Sequence, residues 1–167
     1  YQPPLNIWCH PSLIPGVEAM CRFMLPARLL PELGTRILFH PVADGEQAQL
    51  AYWPAVFFDT GSVKDIQYGL RLTLAGGKTL VFLGDEPLRE PAVPYGQNVD
   101  YLLHEAMCLY ADSALYQPTR IKHSSVKEAC ENANRLNAKQ LIIFHTEDEH
   151  LDTRKRDYTA EAQTFFS

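Results

Sequence analysis

The apolar positions of this chain fall mostly in short runs bounded by turn-forming residues, a pattern typical of β-strands. A short buried strand is expected at residues 5–9. Two short helical segments are expected between Gly16 and Leu33, separated by Pro26. Three further strands are predicted at residues 36–40, 48–53 and 55–59.

The clearest local signal is a hairpin. Residues 66–74 alternate between apolar and polar side chains, and residues 78–83 continue as a second strand. Gly76-Gly77 lies between them, and glycine readily takes the positive φ that a tight turn requires. The next segment, residues 87–98, contains three prolines and is expected to form a loop at the rim of the sheet.

The last third of the chain predicts a strand, a helix and a second strand. An apolar run at residues 99–103 is followed by a loop, and Ser125 with Glu128 matches a capping box at a helix start. Asn137 is expected to end this helix, and residues 141–144 form the next, buried strand. This order indicates a parallel βαβ unit and an α/β fold. The helix face predicted to be buried consists of Val126, Ala129, Ala133 and Leu136.

Composition narrows the class of protein. The 167 residues are 46% hydrophobic, which suffices for one domain with one core. The net charge of -5 argues against general attraction to nucleic acid or anionic membranes. The four cysteines show no metal-binding or disulfide spacing, and no apolar segment reaches the roughly 20 residues of a membrane helix. We therefore expect a soluble, cytoplasmic protein with free thiols and no membrane contact.

Polar side chains occupy the ends of several predicted elements, where side chains from neighbouring strands can meet at one rim of a sheet. Gly84 would let the backbone turn and aim the Asp85 carboxylate over that rim. Because carboxylate and imidazole groups bind divalent ions, Asp85 and His145 are candidate metal ligands. Other interpretations remain open. Gly84-Asp85 also fits an ordinary turn, and His145 also fits a strand-end histidine that is hydrogen-bonded to the backbone.

Glu105 and His123 suggest a second role. A carboxylate beside an imidazolium raises the pKa of the histidine, which can then act as general acid for a leaving oxygen. The alternative is that His123 only assists the start of the helix that follows it.

Four short motifs follow one another in the second half of the chain: Leu83-Gly84-Asp85, Leu103-His104-Glu105-Ala106, His123-Ser124-Ser125-Val126-Lys127-Glu128-Ala129 and Leu141-Ile142-Ile143-Phe144-His145. In this order they resemble the motif series of the metallo-β-lactamase superfamily. The branch to which they are most similar is RNase Z, the tRNA 3′-processing endonucleases, where Gly-Asp-Thr, His-Glu-Ala, His-Ser-Thr and a strand-end histidine have similar spacing. The resemblance covers about residues 66–150.

The resemblance implies both a fold and a function. The fold would be α/β, part of a four-layer αββα sandwich. Asp85 would bridge two metal ions and His145 would bind the second, while Glu105 would orient His123 as proton donor; His104 is not a ligand in that pattern. The implied cofactor is zinc, as one or two divalent ions, with manganese as an alternative. The implied activity is hydrolysis of a phosphodiester or related ester by a metal-activated water.

The sequence also departs from the family pattern. The signature His-x-His-x-Asp-His, which supplies most of the metal ligands, is absent, and a histidine expected shortly before Tyr68 is missing from residues 58–63. Asp59 or Ser62 could substitute for it. We therefore expect residues 1–167 to be the carboxyl-terminal portion of a longer metallo-β-lactamase domain, inactive by itself.

Partners follow from the same comparison. The expected substrate is a small phosphodiester, a nucleotide or RNA, although the acidic composition weakens the case for tRNA. Half of a sandwich would expose an apolar sheet face, so a homodimer or association with the missing amino-terminal part is expected. The alternative function is a non-catalytic binding or dimerisation module with a degenerate metal site.

Overall fold

The computed structural model describes residues 3–149 and 151–166, so the predicted domain of residues 1–167 includes four positions outside the described residues. The strands are β1 Leu5–Cys9, β2 Ile37–Pro41, β3 Gln47–Leu50, β4 Trp53–Asp59, β5 Tyr68–Thr73, β6 Thr79–Phe82, β7 Tyr101–Glu105 and β8 Leu141–Phe144. The α-helices are α1 Ile14–Met24, α2 Val93–Gly96, α3 Ser113–Tyr116, α4 Val126–Arg135 and α5 Arg154–Ala162.

The strands form two sheets. β1 and β2 pair in parallel as a separate two-stranded sheet, while β3 to β8 form a six-stranded sheet in sequence order. Within the larger sheet β3 to β6 are antiparallel, whereas β6, β7 and β8 are parallel. The parallel strands therefore place their carboxyl ends at one edge of the sheet, where a site can form.

The predicted hairpin and βαβ unit are both confirmed. β5 and β6 are antiparallel, and the connection contains Gly76 and Gly77 with φ of 74° and 75°. β7 and β8 pair in parallel on either side of α4, as Leu102 opposite Leu141 shows. The four predicted face residues of α4 are buried, and Asn137 ends the helix with φ of 52°. The α/β fold class is thus confirmed.

Most of the core lies on α4 and the strands beside it. One cluster joins the larger sheet to α4 and comprises Phe58, Val81, Leu83, Ala92, Val99, Leu102, Ala133, Leu136 and Ala138. A second cluster joins α4 to α5 and comprises Ala106, Leu109, Val126, Ala129, Cys130 and Tyr158. The site described below therefore lies on elements that contribute to these two clusters.

Some sequence predictions differ from the structure. β1 is a strand but not a buried one, because it pairs only with β2 and has Leu5 exposed. β8 is likewise only half-buried, with Ile142 44% exposed. Residues 87–98 contain a 3-10 turn and α2 rather than loop alone, and α5 was not predicted because its charged residues hide the helical period. No helix within residues 3–149 and 151–166 combines the length and apolar character needed to cross a membrane.

Candidate active site

Asp85 leaves the sheet at the end of β6, as the sequence predicts. Gly84 takes a φ of 76°, a conformation that favours glycine because it has no Cβ. A side chain at position 84 would also come within 3.3 Å of Gln67 Oε1. The sharp turn carries Asp85 past the last paired residue of β6 to the rim, where it is partly buried.

Glu105 and His123 face each other beneath this rim. Glu105 is the last residue of β7 and is fully buried; its Oε1 accepts a hydrogen bond from the Ser124 backbone N–H at 2.5 Å. Its Oε2 lies 3.5 Å from His123 Nδ1. Within the described residues neither of these two buried atoms has a hydrogen-bond partner. Parallel pairing of β7 with β8 fixes this carboxylate, because Glu105 is opposite Phe144.

The pKa of His123 differs in direction from the sequence expectation. Burial lowers it, with Lys64 and His145 acting in the same sense, while Asp85 and Glu86 oppose the change. Burial also raises the pKa of Glu105 to about 7, against the hydrogen bonds from Ser124. The expected rise for His123 is wrong because desolvation outweighs the carboxylates around the ring.

His145 lies beside His123 at the end of β8. The two rings stack, with centroids 5.0 Å apart and planes at 29°. His145 is exposed and adopts a φ of 56°, a left-handed conformation uncommon for residues other than glycine. Such strain is found at functional positions, and here it turns the imidazole toward His123.

His104 is buried on the opposite side of the strand from Glu105. Its Nδ1 lies 2.6 Å from the Glu105 carbonyl oxygen, and its Nε2 lies 3.1 Å from Asn132 Nδ2. The network assigns Nδ1 as donor and Nε2 as acceptor. Burial lowers the pKa of His104 to about 4, so the ring is neutral. Both nitrogens are occupied, which leaves none for a metal ion.

Two residues of the site, Glu86 and Lys64, were not predicted from the sequence. Glu86 follows Asp85 and is fully buried; its Oε1 accepts a hydrogen bond from Ser62 Oγ at 2.9 Å and lies 3.5 Å from Lys64 Nζ. Lys64 Nζ also donates to His123 Nε2 at 3.2 Å. Lys64 lies in an irregular segment between β4 and β5, where no periodic pattern shows which way a side chain points. For Glu86, adjacency to Asp85 was the available signal.

The other three sequence-predicted residues thus lie around His123. Glu105 contacts one ring nitrogen, His145 stacks on the ring, and Asp85 acts on it electrostatically. In residues 3–149 and 151–166, however, no three His, Cys, Asp or Glu side chains are grouped closely enough to hold a metal ion. Zinc generally requires at least three protein ligands. The donor set of this chain therefore does not fit a complete metal site.

Comparison with known proteins gives a consistent assignment, although no protein-family profile matches this chain. The structure is similar to the metallo-β-lactamase fold protein YhfI from Bacillus subtilis, with a TM-score of 0.67 and 21% identity over 98% of this chain and 60% of that one. It is also similar to Zn²⁺-bound PqqB from Methylobacterium extorquens, with a TM-score of 0.67 and 13% identity over 98% of this chain and 59% of that one.

A curated relative matches by sequence. Ribonuclease Z from Brevibacillus brevis is 34% identical over 94 residues, which are 54% of this chain and 29% of that protein. The matched segment thus spans less than a third of the relative. The structural similarities show that the chain has the metallo-β-lactamase fold. In sequence it is similar to ribonuclease Z proteins, in agreement with the order of its motifs.

Proposed function

We propose that this chain is the carboxyl-terminal part of a metal-dependent hydrolase that cleaves a phosphodiester or related ester. The observation that carries the proposal is the buried pair of Glu105 and His123, with His145 stacked on the imidazole. A carboxylate buried opposite an imidazole, at a rim with further polar groups, is an arrangement suited to proton transfer.

In this proposal His123 delivers the proton to the leaving oxygen and Glu105 holds the ring. Glu105 Oε2 faces Nδ1, and Nε2, which Lys64 Nζ contacts at 3.2 Å in this structure, is the nitrogen that would face substrate once Lys64 moves aside. With Nδ1–H directed at Glu105, a second proton on Nε2 makes the ring an imidazolium, which an ionised Glu105 stabilises. Because burial raises the pKa of Glu105 to about 7, this carboxylate can take up a proton near neutral pH.

The metal would be zinc, with manganese as an alternative, and the remaining ligands would come from outside this chain. Asp85 and His145 would supply a carboxylate and an imidazole to one or two ions. A bound ion supplies the activated water and stabilises developing negative charge. The Zn²⁺-bound state of a structural neighbour supports zinc as the first choice.

The substrate class is a small phosphodiester, a nucleotide or RNA. The name of the curated relative supports RNA. The net charge of -5 favours a smaller substrate, because extended contacts with phosphates usually leave a basic surface.

A partner is needed to complete the site and the sandwich, and we propose the amino-terminal part of the same protein. On α1, Phe23 is 92% and Met24 71% exposed, a degree of exposure that favours an apolar contact. Co-expression of this chain with the preceding segment should give a complex, which Phe23→Asp weakens at least tenfold. A homodimer of this chain alone, measured by sedimentation, would contradict the choice of partner.

A second candidate is a non-catalytic module with a degenerate metal site. Lys64 favours it, because its ammonium contacts His123 Nε2, the nitrogen that would have to face substrate. The two functions differ in whether the complete protein turns over substrate.

Activity of the complete protein on bis(p-nitrophenyl) phosphate and on a phosphodiester with a poor leaving group tests the proposal. His123→Ala should reduce turnover of the poor leaving group by about 10²- to 10⁴-fold with little loss of metal. Asp85→Ala should remove bound zinc as well as activity. Full activity in His123→Ala would assign that residue to the helix start instead, and a complete protein without metal or activity would favour the scaffold.

A further inference from the structure

Lys64 lies against His123 and Glu86, at the rim that also holds the candidate metal ligands Asp85 and His145. Its Nζ donates to His123 Nε2 at 3.2 Å and lies 3.5 Å from Glu86 Oε1. Glu86 is completely buried, and Ser62 Oγ donates to the same oxygen. The ammonium is therefore fixed on two sides, and it satisfies an imidazole nitrogen and a carboxylate as a bound cation would.

The rim already holds two cationic side chains beside its carboxylates. Asp85 and Glu86 act electrostatically on His123, and Glu105 Oε2 lies 3.5 Å from its Nδ1. Lys64 and Arg89 supply two positive charges, with Arg89 Nε lying 3.5 Å from Glu86 Oε2. A second divalent ion beside Lys64 would meet like charge and too few free anionic donors.

We infer that the Lys64 ammonium is the resident cation of this rim and replaces one of the two metal ions expected there. The complete protein would then hold at most one metal ion per chain. This inference rests on the proposed function for the identity of the site, but it concerns metal stoichiometry rather than turnover.

Zinc content of the complete protein tests the inference. After incubation with excess zinc and removal of loosely bound metal, elemental analysis should give no more than one ion per wild-type chain. Lys64→His replaces the ammonium by a metal-binding imidazole and should add one ion per chain. The double variant Lys64→His/His145→Ala should lose that added ion. Lys64→Cys provides a second donor variant if Lys64→His does not fold.

Two control variants separate the effect of the charge at position 64 from the effect of adding a histidine elsewhere. Lys64→Arg keeps the positive charge and should leave the zinc content unchanged. Lys155→His introduces the same side chain on the exposed start of α5 and should also leave it unchanged. Two ions per wild-type chain, or an unchanged count in folded Lys64→His and Lys64→Cys, would overturn the inference.

The outcome is separable from that of the proposed function. A complete protein with the expected zinc counts but no phosphodiester hydrolysis would support the role of Lys64 and contradict the hydrolase. An active enzyme with two ions per chain would support the hydrolase and contradict the role of Lys64.

Discussion

The unit formed by β7, α4 and β8 and the unit formed by β1, α1 and β2 have the same parallel order but different surroundings. α4 buries one face, including Ala129 and Ala133, against the larger sheet and α5. In β1, α1 and β2 not one residue is fully buried. Elements that find their packing partners within the chain form its core, whereas the apolar residues of α1 remain available for a partner.

The largest expected difference between the two units is in the free energy of unfolding lost when one large apolar side chain of each is truncated. Leu136 is fully buried after α4, so Leu136→Ala should lower the free energy of unfolding by about 2–5 kcal/mol. Met24→Ala on α1 should change it by less than about 0.5 kcal/mol, because Met24 is exposed. Urea unfolding of this chain measures both. Equal losses would show that α1 is packed in solution and would break the comparison.

The pH dependence of stability gives the next largest effect. The pKa of Glu105 is about 7 in the fold and near 4.5 when unfolded, so the folded state retains a proton that the unfolded state releases. The contribution of Glu105 to the free energy of unfolding is fully present below the unfolded pKa and is lost as the pH rises through 7. The free energy of unfolding of the wild type should therefore fall between pH 5 and pH 8. This fall should exceed that of Glu105→Gln by on the order of 2 kcal/mol.

His123 contributes with the opposite sign. Its folded pKa is lowered, so its contribution is present above its unfolded pKa and decreases as the pH falls. The difference between wild type and Glu105→Gln reports the carboxylate together with its effect on His123, when both proteins are unfolded in urea at each pH. Parallel pH profiles for the two proteins would show that Glu105 is ionised throughout the range.

The same contrast explains what the sequence could predict. The β5–β6 hairpin and the face of α4 follow from side-chain period and from Gly76-Gly77, because local geometry decides them. Asp85 and Glu105 could be located because strand ends and motif order fix their places. Lys64 could not, since its contact with His123 spans 59 positions of sequence through an irregular segment.

The electrostatics of the site were also beyond a sequence-based prediction. The motif order pairs Glu105 with His123, but it does not reveal that burial and Lys64 lower the pKa of the ring. Desolvation depends on how deeply a group lies in the fold. A prediction of partners from sequence can therefore be correct while the expected direction of a pKa shift is wrong.

The smallest expected effect concerns the cap that begins α4 and so helps to position His123. Glu128 Oε2 accepts a hydrogen bond from the Ser125 backbone N–H at 2.6 Å, and Oε1 accepts one from Thr119 Oγ1 at 3.3 Å. Glu128→Ala should cost about 1 kcal/mol of unfolding free energy. Glu131→Ala, on the same helix with only a 4.0 Å ion pair to Lys127, should cost less than about 0.5 kcal/mol. Equal costs would mean that intrinsic helix propensity, and not the cap, defines where α4 begins.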